Sequence, residues 1–455
     1  MQPRPMASPL LVAAAAGAVM LYIFHRRKRN RVALLSRQCN GLEALFVNCN
    51  IRFATAVAFP AVPIEAAQAC VSSAARAVPS GRLEVALIDK TPHLRLIETA
   101  SAEFDMERVV MPERGLAQAL DDFVDAAALP ANGALRFRLL TKSEEPGSCC
   151  GFCVNANHAL CDGRAMRNMI ETAVNSLLLG ATIPEAPVIG SVPKEWGAVV
   201  EAAIPEENAR DPAFLPLPAA SITLDDIEGL RQVDSQEHQL ARHDISTEKV
   251  EKLKAVLRAH GATMTGLWAA CLTHALSEAY LRQGGAQRRC VSASLLVDLR
   301  KHLSRHGVDA STCTNMFGSI TVGSITATVA DEVLHTHVLA LSRQLTQDMR
   351  IRIARGEAHR SSVSVSRGDW AAGPPPATIE LSSHGVYDAP GCCDVLLSQR
   401  FDGYDGISVA VHTQKAGKMR LAASLGCGLN QGLSSRLIKR AVRLAEHVAA
   451  ACCSQ

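Results

Sequence analysis

The stretch Phe152–Met166, FCVNANHALCDGRAM, places a histidine and an aspartate four residues apart at the end of an apolar run. Upstream, residues 134–142 read ALRFRLLTK and alternate apolar side chains with arginines, which is the period-two pattern of a strand. A polar turn, SEEPGS, separates these two extended runs and predicts a hairpin that ends at His158. Helical spacing follows Gly163 and stops at Gly180, so the two polar residues are expected on a loop between a strand and a helix.

These residue types suit proton transfer from such a loop. A neutral imidazole, with an ordinary pKa of about 6.5, can remove the proton of an alcohol or amine that attacks a thioester carbonyl. His158 would be that base, and Asp162, at the start of the helix, can lock the loop through an ion pair. Gly163 allows another chain segment to approach closely. The alternative interpretation is an ordinary loop histidine beside an aspartate that only caps the helix.

On both sides of this motif the pattern mixes helices and strands, which predicts an α/β protein built from mixed sheets and helices. Residues 183–240 are rich in proline and predict a crossover linker between two lobes. The first lobe would then span residues 32–182, and the second would span residues 241–455. Within the second lobe, ATIELSSHGV at 377–386 has the pattern of a strand.

The composition excludes several classes of protein. The 455 residues are 48% hydrophobic and 20% charged with a formal net charge of +3, which is typical of a globular enzyme and not of a disordered or nucleic-acid-binding chain. The 15 cysteines are scattered, as expected of free thiols in a reducing compartment. Cys150 and Cys153 form a CxxC pair, but side chains alternate along a strand and would point to opposite faces, so no metal site is expected.

The N-terminus has the pattern of a membrane anchor. Residues 6–24 carry no charge, and at about 1.5 Å per residue they could cross a hydrocarbon core of about 30 Å. The basic run HRRKRNR follows at 25–31, and the positive-inside rule then predicts a single-pass anchor with the catalytic body in the cytosol. Either the endoplasmic reticulum or the mitochondrial outer membrane would suit an anchor and basic flank over residues 1–31. An organelle transit peptide or a buried helix is the alternative.

The run from His158 to Gly163 matches HxxxDG, the signature of the chloramphenicol acetyltransferase-like superfamily. That group includes the condensation domains of peptide synthetases, alcohol O-acetyltransferases, wax ester synthases and the plant BAHD acyltransferases. A second segment, VDLRKHL at 297–303, resembles the strand whose arginine reaches the motif aspartate, which makes Arg300 the candidate partner of Asp162. The resemblance covers Val32–Gln455 in element order as well as in motif.

A third segment, LSSHG at 381–385, resembles the SNxG segment that lines the active-site tunnel, so Ser383 and Gly385 are candidate substrate-binding residues. Many relatives carry HHxxxDG, and Asn157 stands here in place of the first histidine, in a supporting position. The DFGWG motif of the BAHD enzymes is absent, and no phosphopantetheine carrier domain is recognisable. The pattern is therefore closest to that of the alcohol O-acetyltransferases, with free acyl-CoA as the donor.

The resemblance implies two similar lobes around a tunnel that acyl-CoA enters from one mouth and the acceptor from the other. His158 would act as the general base, Asp162 would hold the loop through Arg300, and Ser383 is a candidate oxyanion donor. No metal or redox cofactor is implied. The leading hypothesis is a monomeric, membrane-anchored O-acyltransferase that uses acyl-CoA and a small hydrophobic alcohol. The alternatives are an N-acyltransferase of the same fold and a catalytically silent member that binds acyl-CoA or lipid.

Overall fold

The computed structural model describes most of the chain. The described residues are 36–97, 104–126, 135–185, 196–203, 213–231, 239–305, 315–369, 371, 373–400, 406–426 and 428–451. The anchor expected at residues 6–24 lies outside them. Over the described ranges, no helix combines the length and the hydropathy needed to cross a membrane.

Over the described residues, the first part of the chain gives the first lobe seven strands and four α-helices. The strands are β1 (Ser36–Gln38), β2 (Arg52–Pro63), β3 (Leu83–Ile88), β4 (Thr91–Leu96), β5 (Asp105–Val110), β6 (Arg136–Lys142) and β7 (Glu145–Asn157). The helices are α1 (Gly41–Asn48), α2 (Ile64–Arg76), α3 (Leu116–Ala126) and α4 (Gly163–Leu179).

Where the structure describes the later part of the chain, it forms seven further strands and seven further α-helices. The helices are α5 (Trp196–Ala203), α6 (Thr247–Ala259), α7 (Met264–Arg282), α8 (Arg300–Ser304), α9 (Leu334–Ala354), α10 (Glu357–Ser366) and α11 (Gln431–Ala451). The strands are β8 (Gln239–Ile245), β9 (Cys290–Asp298), β10 (Phe317–Ile325), β11 (Ile379–Tyr387), β12 (Asp394–Arg400), β13 (Ile407–Gln414) and β14 (Met419–Leu425).

Three sheets organise these strands. The first lobe is built on a five-stranded sheet in the order β12-β2-β7-β6-β5, and the second on a six-stranded sheet in the order β10-β9-β11-β13-β14-β8. A small sheet, β1-β4-β3, contributes Leu83, Val85 and Leu94 to the core cluster of the second lobe. Both large sheets are mixed, because β5 runs parallel to β6 and β11 runs parallel to β9 and β13, while the other pairs are antiparallel. The mixed α/β architecture agrees with the sequence pattern.

The predicted hairpin that carries the motif is formed by β6 and β7. Its turn is tighter than the pattern SEEPGS predicts, because Lys142 already pairs with Glu145. The helix that follows the motif, α4, ends where expected, with Gly180 in the left-handed conformation at a φ of 66°. The motif loop is thereby held at both ends by regular structure.

The strand β12 crosses from the second half of the chain into the sheet of the first lobe. It pairs antiparallel with β2, from Asp394 opposite Ala58 to Arg400 opposite Arg52. The expected division into residues 32–182 and 241–455 therefore does not separate the two large sheets. The second half supplies an edge strand to the sheet that carries the motif.

The expected linker, residues 183–240, contains regular structure in its described parts. It includes α5, and its later part joins the second lobe through hydrogen bonds from the amide of Leu215 to Glu357 Oε1 at 2.8 Å and from the amide of Ile222 to the carbonyl of Cys290 at 2.7 Å. The strand expected to carry Arg300 ends earlier, at Asp298, and Arg300 begins the short helix α8. These hydrogen bonds attach the described part of the crossover to the second lobe.

Candidate active site

His158 lies directly after the last residue of β7 and is 8% exposed. Its amide donates a hydrogen bond to the carbonyl of Ile51, at a distance of 2.8 Å. The imidazole packs between two phenylalanine rings, with centroid distances of 4.4 Å to Phe46 and 5.9 Å to Phe317. Phe46 belongs to α1 in the first lobe, and Phe317 belongs to β10 in the second, so the ring lies where the two lobes meet.

The environment favours the neutral form of this imidazole. Burial lowers the pKa of His158 below its ordinary value, and its own backbone carbonyl and the Asp162 carboxylate raise it by less. At neutral pH the ring is therefore uncharged and able to accept a proton. This is the protonation state that a general base requires.

Two asparagines hold the loop around the histidine. Asn157 accepts a hydrogen bond from the amide of Ala159 at 2.9 Å and donates one to the carbonyl of Phe46 at 3.3 Å. Asn315, which precedes β10, donates to the carbonyls of His158 and Ala159 at 3.1 and 3.0 Å. Asn157 thus occupies a position where it shapes the backbone and tethers it to α1.

The Asp162 carboxylate is bound by backbone amides and by Arg300 rather than by the His158 imidazole. Its carboxylate caps α4 through the amide of Ala165 at 2.9 Å, accepts from the amide of Met316 at 2.9 Å, and forms an ion pair with Arg300 at 2.8 Å. Burial works against ionisation, but the Arg300 guanidinium and the two amides outweigh it and lower the pKa of Asp162. Arg300 also contacts Asp298, at 3.2 Å. The motif helix is in this way tied to two segments of the second lobe.

Gly163 allows the close approach of a second histidine. A Cβ atom added at Gly163 would lie 2.4 Å from Nδ1 of His384, a distance that real contacts do not reach. The His384 ring stacks on Phe53 at a centroid distance of 5.4 Å, and its Nε2 lies 3.1 Å from the hydroxyl of Ser382. Burial, with smaller contributions from His412 and His158, lowers the pKa of His384 to about 3. The structure thus places His384 in the wall of the site.

Two cavities meet at His158. The first, of about 270 Å³, is the charged cavity. Its charged lining residues are Asp162, Arg164, Arg167, Asp298, Arg300 and Lys301. The second, of about 300 Å³, is the apolar cavity, whose apolar lining includes Leu42, Leu45, Phe46, Ile51 and Val365. His158, Leu296, Phe317 and Gln399 line both. A larger cavity of about 870 Å³ lies along α9 and contains none of the motif residues.

The segment from Ser382 to Gly385 lines the charged cavity. Ser383 is exposed and contributes to its wall together with Gly385. The strand is irregular between these two residues, since Ser383 pairs with Val411 and Gly385 with His412. Gly385 has a φ of 70°, a conformation that a side chain disfavours, and the bulge directs His384 into the site. Both predicted substrate-binding residues therefore lie at the cavity.

Comparisons with known proteins found a family model and solved structures that are similar to this chain. Residues 234–424 match the family model described as phthiocerol/phthiodiolone dimycocerosyl transferase C-terminus. The trichothecene 15-O-acetyltransferase from Fusarium sporotrichioides is similar in structure, with a TM-score of 0.67 and 11% identity over 92% of this chain and 99% of that one. The chain is an acyltransferase, and it shares the fold of these proteins.

Two further structures share the fold of this acyltransferase. Polyketide synthase associated protein 5 from Mycobacterium tuberculosis has a TM-score of 0.65 and 15% identity, covering 91% of this chain and 98% of that one. The condensation domain of the monacolin K polyketide synthase has a TM-score of 0.63 and 11% identity, with the same coverage of 91% and 98%. A comparison with curated protein sequences found no significant match. The fold of the acyltransferase is thus shared at low sequence identity.

Several residues of this acyltransferase site are not predicted from its sequence. These residues are Phe46, Asn315, Phe317 and Gln399. The sequence does contain a signal for Phe46, because Asn40 and Glu43 have the spacing of a capping box. The structure shows both hydrogen bonds of the capping box, at 2.8 and 2.9 Å. That box marks the start of α1, which carries Phe46. The other three are ordinary strand or loop residues, and no local pattern distinguishes them.

Replacing Gly163 with alanine in this acyltransferase is expected to lower both stability and activity. The new methyl group would displace His384 or the start of α4, and overpacking of this kind costs about 1–3 kcal/mol. Thermal unfolding and kcat measure the two effects. Gly147→Ala is the matched control, because a Cβ there meets no atom within 4 Å. Equal melting temperatures for the two variants would contradict the close approach.

Proposed function

We propose that this acyltransferase moves an acyl group from acyl-CoA to the hydroxyl of a small hydrophobic alcohol, with His158 as the general base. The observation that carries the proposal is the position of a neutral, buried imidazole at the junction of two cavities of different character. The charged cavity has four cationic side chains against two carboxylates, which suits the phosphates of CoA. The apolar cavity suits an acceptor that partitions out of water.

The chemistry follows from that arrangement. His158 takes the proton of the acceptor hydroxyl as its oxygen attacks the thioester carbonyl, and a tetrahedral intermediate forms. When the carbon–sulfur bond breaks, the same proton passes from the imidazolium to the CoA thiolate. The acyl group leaves on the acceptor as an ester, and His158 returns to its neutral form. Asp162 and Arg300 position the loop, and no metal or redox step is needed.

The negative oxygen of the intermediate needs a hydrogen-bond donor. Ser383 offers a hydroxyl in the charged cavity, whereas Gln399 lines both cavities together with His158. The carboxamide oxygen of Gln399 accepts a hydrogen bond from Ser408 at 3.1 Å, which leaves its amino group for the cavity. We therefore propose Gln399 as the principal donor and Ser383 as a substrate contact. Loss of kcat in Gln399→Leu, with a smaller loss in Ser383→Ala, would support this order.

The deciding experiment measures CoA release by the full chain. Acetyl-CoA and longer acyl-CoAs are supplied with a panel of alcohols and of amines, and the His158→Ala variant is assayed beside the wild type. Alcohol-dependent release that is lost in the variant supports O-acylation, while release with amines alone supports the N-acyltransferase alternative. Acyl-CoA binding with no acceptor-dependent release would contradict the proposal and favour a silent binding member.

The pH dependence of kcat/KM is expected to report His158. Because the base must be deprotonated and burial lowers its pKa, activity should rise with pH through an inflection below about 6.5 and be constant above it. The measurement is a pH series of kcat/KM at constant ionic strength. An inflection at or above the ordinary histidine value would contradict the proposed environment.

We also propose that residues 6–24 anchor the enzyme in the endoplasmic reticulum or the mitochondrial outer membrane. This part of the proposal rests on the sequence alone, in which an uncharged run precedes a basic one. Tethering at a bilayer would raise the local concentration of a hydrophobic alcohol. Resistance of the full chain to alkaline carbonate extraction supports the anchor, and complete release into the supernatant contradicts it.

A further inference from the structure

Glu380 occupies an unusual place on the sheet of the second lobe. Its neighbours Ile379 and Leu381 are buried in the core of that lobe. Because side chains alternate along β11, Glu380 lies on the opposite face, toward the first lobe. In register it lies beside Ser294 of β9 and Ser408 of β13. A short polar row therefore crosses the sheet on the face that looks into the site.

This row reaches the same cavity as the catalytic base. Glu380 and His158 both line the apolar cavity, and Ser294 and Gln399 add further polar atoms near Glu380. The hydroxyl of Ser408 lies 3.4 Å from Glu380 Oε1 and 3.1 Å from Gln399 Oε1. A carboxyl group is thus built into a chamber whose other walls are aliphatic and aromatic side chains together with the hydroxyls of Ser294, Ser319, Ser361 and Ser362.

Within the described residues, the hydrogen-bonding capacity of this carboxyl is nearly unused. A carboxylate can accept about four hydrogen bonds, yet the sole contact is the long one from Ser408, whose single proton is shared with Gln399. Glu380 also has no ion-pair partner among the described residues. Burial raises the pKa of Glu380, and the bond from Ser408 lowers it by less. The group is therefore held in the cavity wall at an energetic cost.

The two glutamates that are buried among the described residues, Glu43 and Glu357, are paired, whereas Glu380 is half-buried. Glu43 forms an ion pair with Arg37 at 2.7 Å and also accepts a hydrogen bond from the amide of Asn40. Glu357 forms an ion pair with Arg352 at 3.1 Å and accepts from a backbone amide. Burial of a carboxyl without such partners is unfavourable unless something else supplies the donors. At Glu380 the open side is the cavity.

We propose that Glu380 is an acceptor-binding residue, which accepts a hydrogen bond from a second polar group of the acceptor while the reacting hydroxyl lies at His158. The second group is a hydroxyl or a protonated amine, and the remainder of the acceptor is apolar. This inference rests on the proposed function, since it assigns the apolar cavity to the acceptor. An acceptor without the second group leaves the carboxyl desolvated and unpartnered, so the site discriminates against it.

The test compares acceptors that differ in one group. The probes are n-alkanols from butanol to decanol with the matched terminal diols and terminal amino alcohols, and the full chain is assayed as wild type, Glu380→Gln and Glu380→Leu. In the wild type, kcat/KM is expected to favour the bifunctional acceptor by about tenfold or more at the best length. Glu380→Leu abolishes this preference, measured as the ratio of kcat/KM for the bifunctional acceptor to kcat/KM for the matched alkanol. The exposed Glu251, changed to leucine, is the control.

The Glu380→Gln variant, assayed with the diols and with the amino alcohols, identifies the bound group. Glutamine keeps a hydrogen-bond acceptor but loses the charge, so Glu380→Gln retains the preference for a diol and loses the preference for an amino alcohol. If the wild type and Glu380→Leu prefer the bifunctional acceptor equally, the inference is overturned, and water is then the hydrogen-bond partner of the carboxyl.

Failure of this inference is distinguishable from failure of the proposed function. If no alcohol gives CoA release that depends on His158, the proposed function fails, and binding is then measured by thermal shift with the same diols and amino alcohols. Stabilisation of the wild type but not of Glu380→Leu still supports the subsite. Equal shifts, or none in either protein, overturn it.

Discussion

Replacement of His158 by alanine is expected to lower kcat by about 10²–10⁴-fold, the range over which a positioned general base contributes. The loss arises because His158 is the titratable side chain that, among the described residues, lines both cavities, while Asp162 is occupied by Arg300 and by two backbone amides. Steady-state CoA release measures it. KM for acyl-CoA should change little, because the imidazole is not among the charged groups proposed to meet the phosphates.

His260→Ala is the matched control for this variant. His260 is exposed at the end of α6 and belongs to neither cavity. Both variants should retain the wild-type circular dichroism spectrum. If His158→Ala retained more than about a tenth of wild-type kcat, the general-base assignment would be wrong.

Replacement of Asp162 by alanine should lower the free energy of unfolding by about 3–5 kcal/mol, the usual cost of breaking a buried ion pair from one side. The Arg300 guanidinium would keep only the exposed Asp298 as a partner, and the amides of Ala165 and Met316 would lose their acceptor. Denaturant unfolding measures the change. Activity should fall as well, because the motif loop and helix α4 are held through this carboxylate.

A surface ion pair provides the comparison. Asp225 and Arg231 are joined at 2.5 Å but are largely exposed, so Asp225→Ala should cost at most about 1 kcal/mol. Asp162→Asn keeps an acceptor for the amides, so its loss of unfolding free energy should lie between those of Asp162→Ala and Asp225→Ala. A loss no larger for Asp162→Ala than for Asp225→Ala would show that the buried pair does not hold the lobes.

The lowered pKa of Asp162 gives this contribution a pH dependence. A carboxyl whose pKa is lower in the folded protein adds stability at pH values above the pKa of the unfolded chain, about 3.9. That stability is lost as the pH falls through the folded-state value. The difference in unfolding free energy between the wild type and Asp162→Asn should therefore shrink in acid and be constant near neutrality.

The sequence predicts the parts of the site that lie within one local segment. His158, Asp162 and Gly163 follow a strand and precede a helix, and both elements can be recognised from periodicity. The pairing of Arg300 with Asp162 was accessible only through resemblance, because the two residues are far apart in sequence. The helix that Arg300 begins is too short for periodicity to indicate.

The cavity walls could not be predicted for a different reason. Phe46, Phe317 and Gln399 come from three separate elements, and their convergence depends on how the sheets pair and pack. The alternation of Ile379, Glu380 and Leu381 indicates a strand with one polar face, but not what that face meets. Such information lies in the tertiary arrangement of residues distant in the chain.

The crossing of β12 from the second half of the chain into the first-lobe sheet has a consequence for biosynthesis. The ribosome must reach Arg400 before the sheet containing β7 can gain its last strand, and β7 ends beside His158. Until then the nascent first half presents the edge of β2, with free amides and carbonyls that other chains can pair with. The enzyme is thus assembled at the end of translation, and a halved gene would encode two pieces of which neither holds a complete active centre.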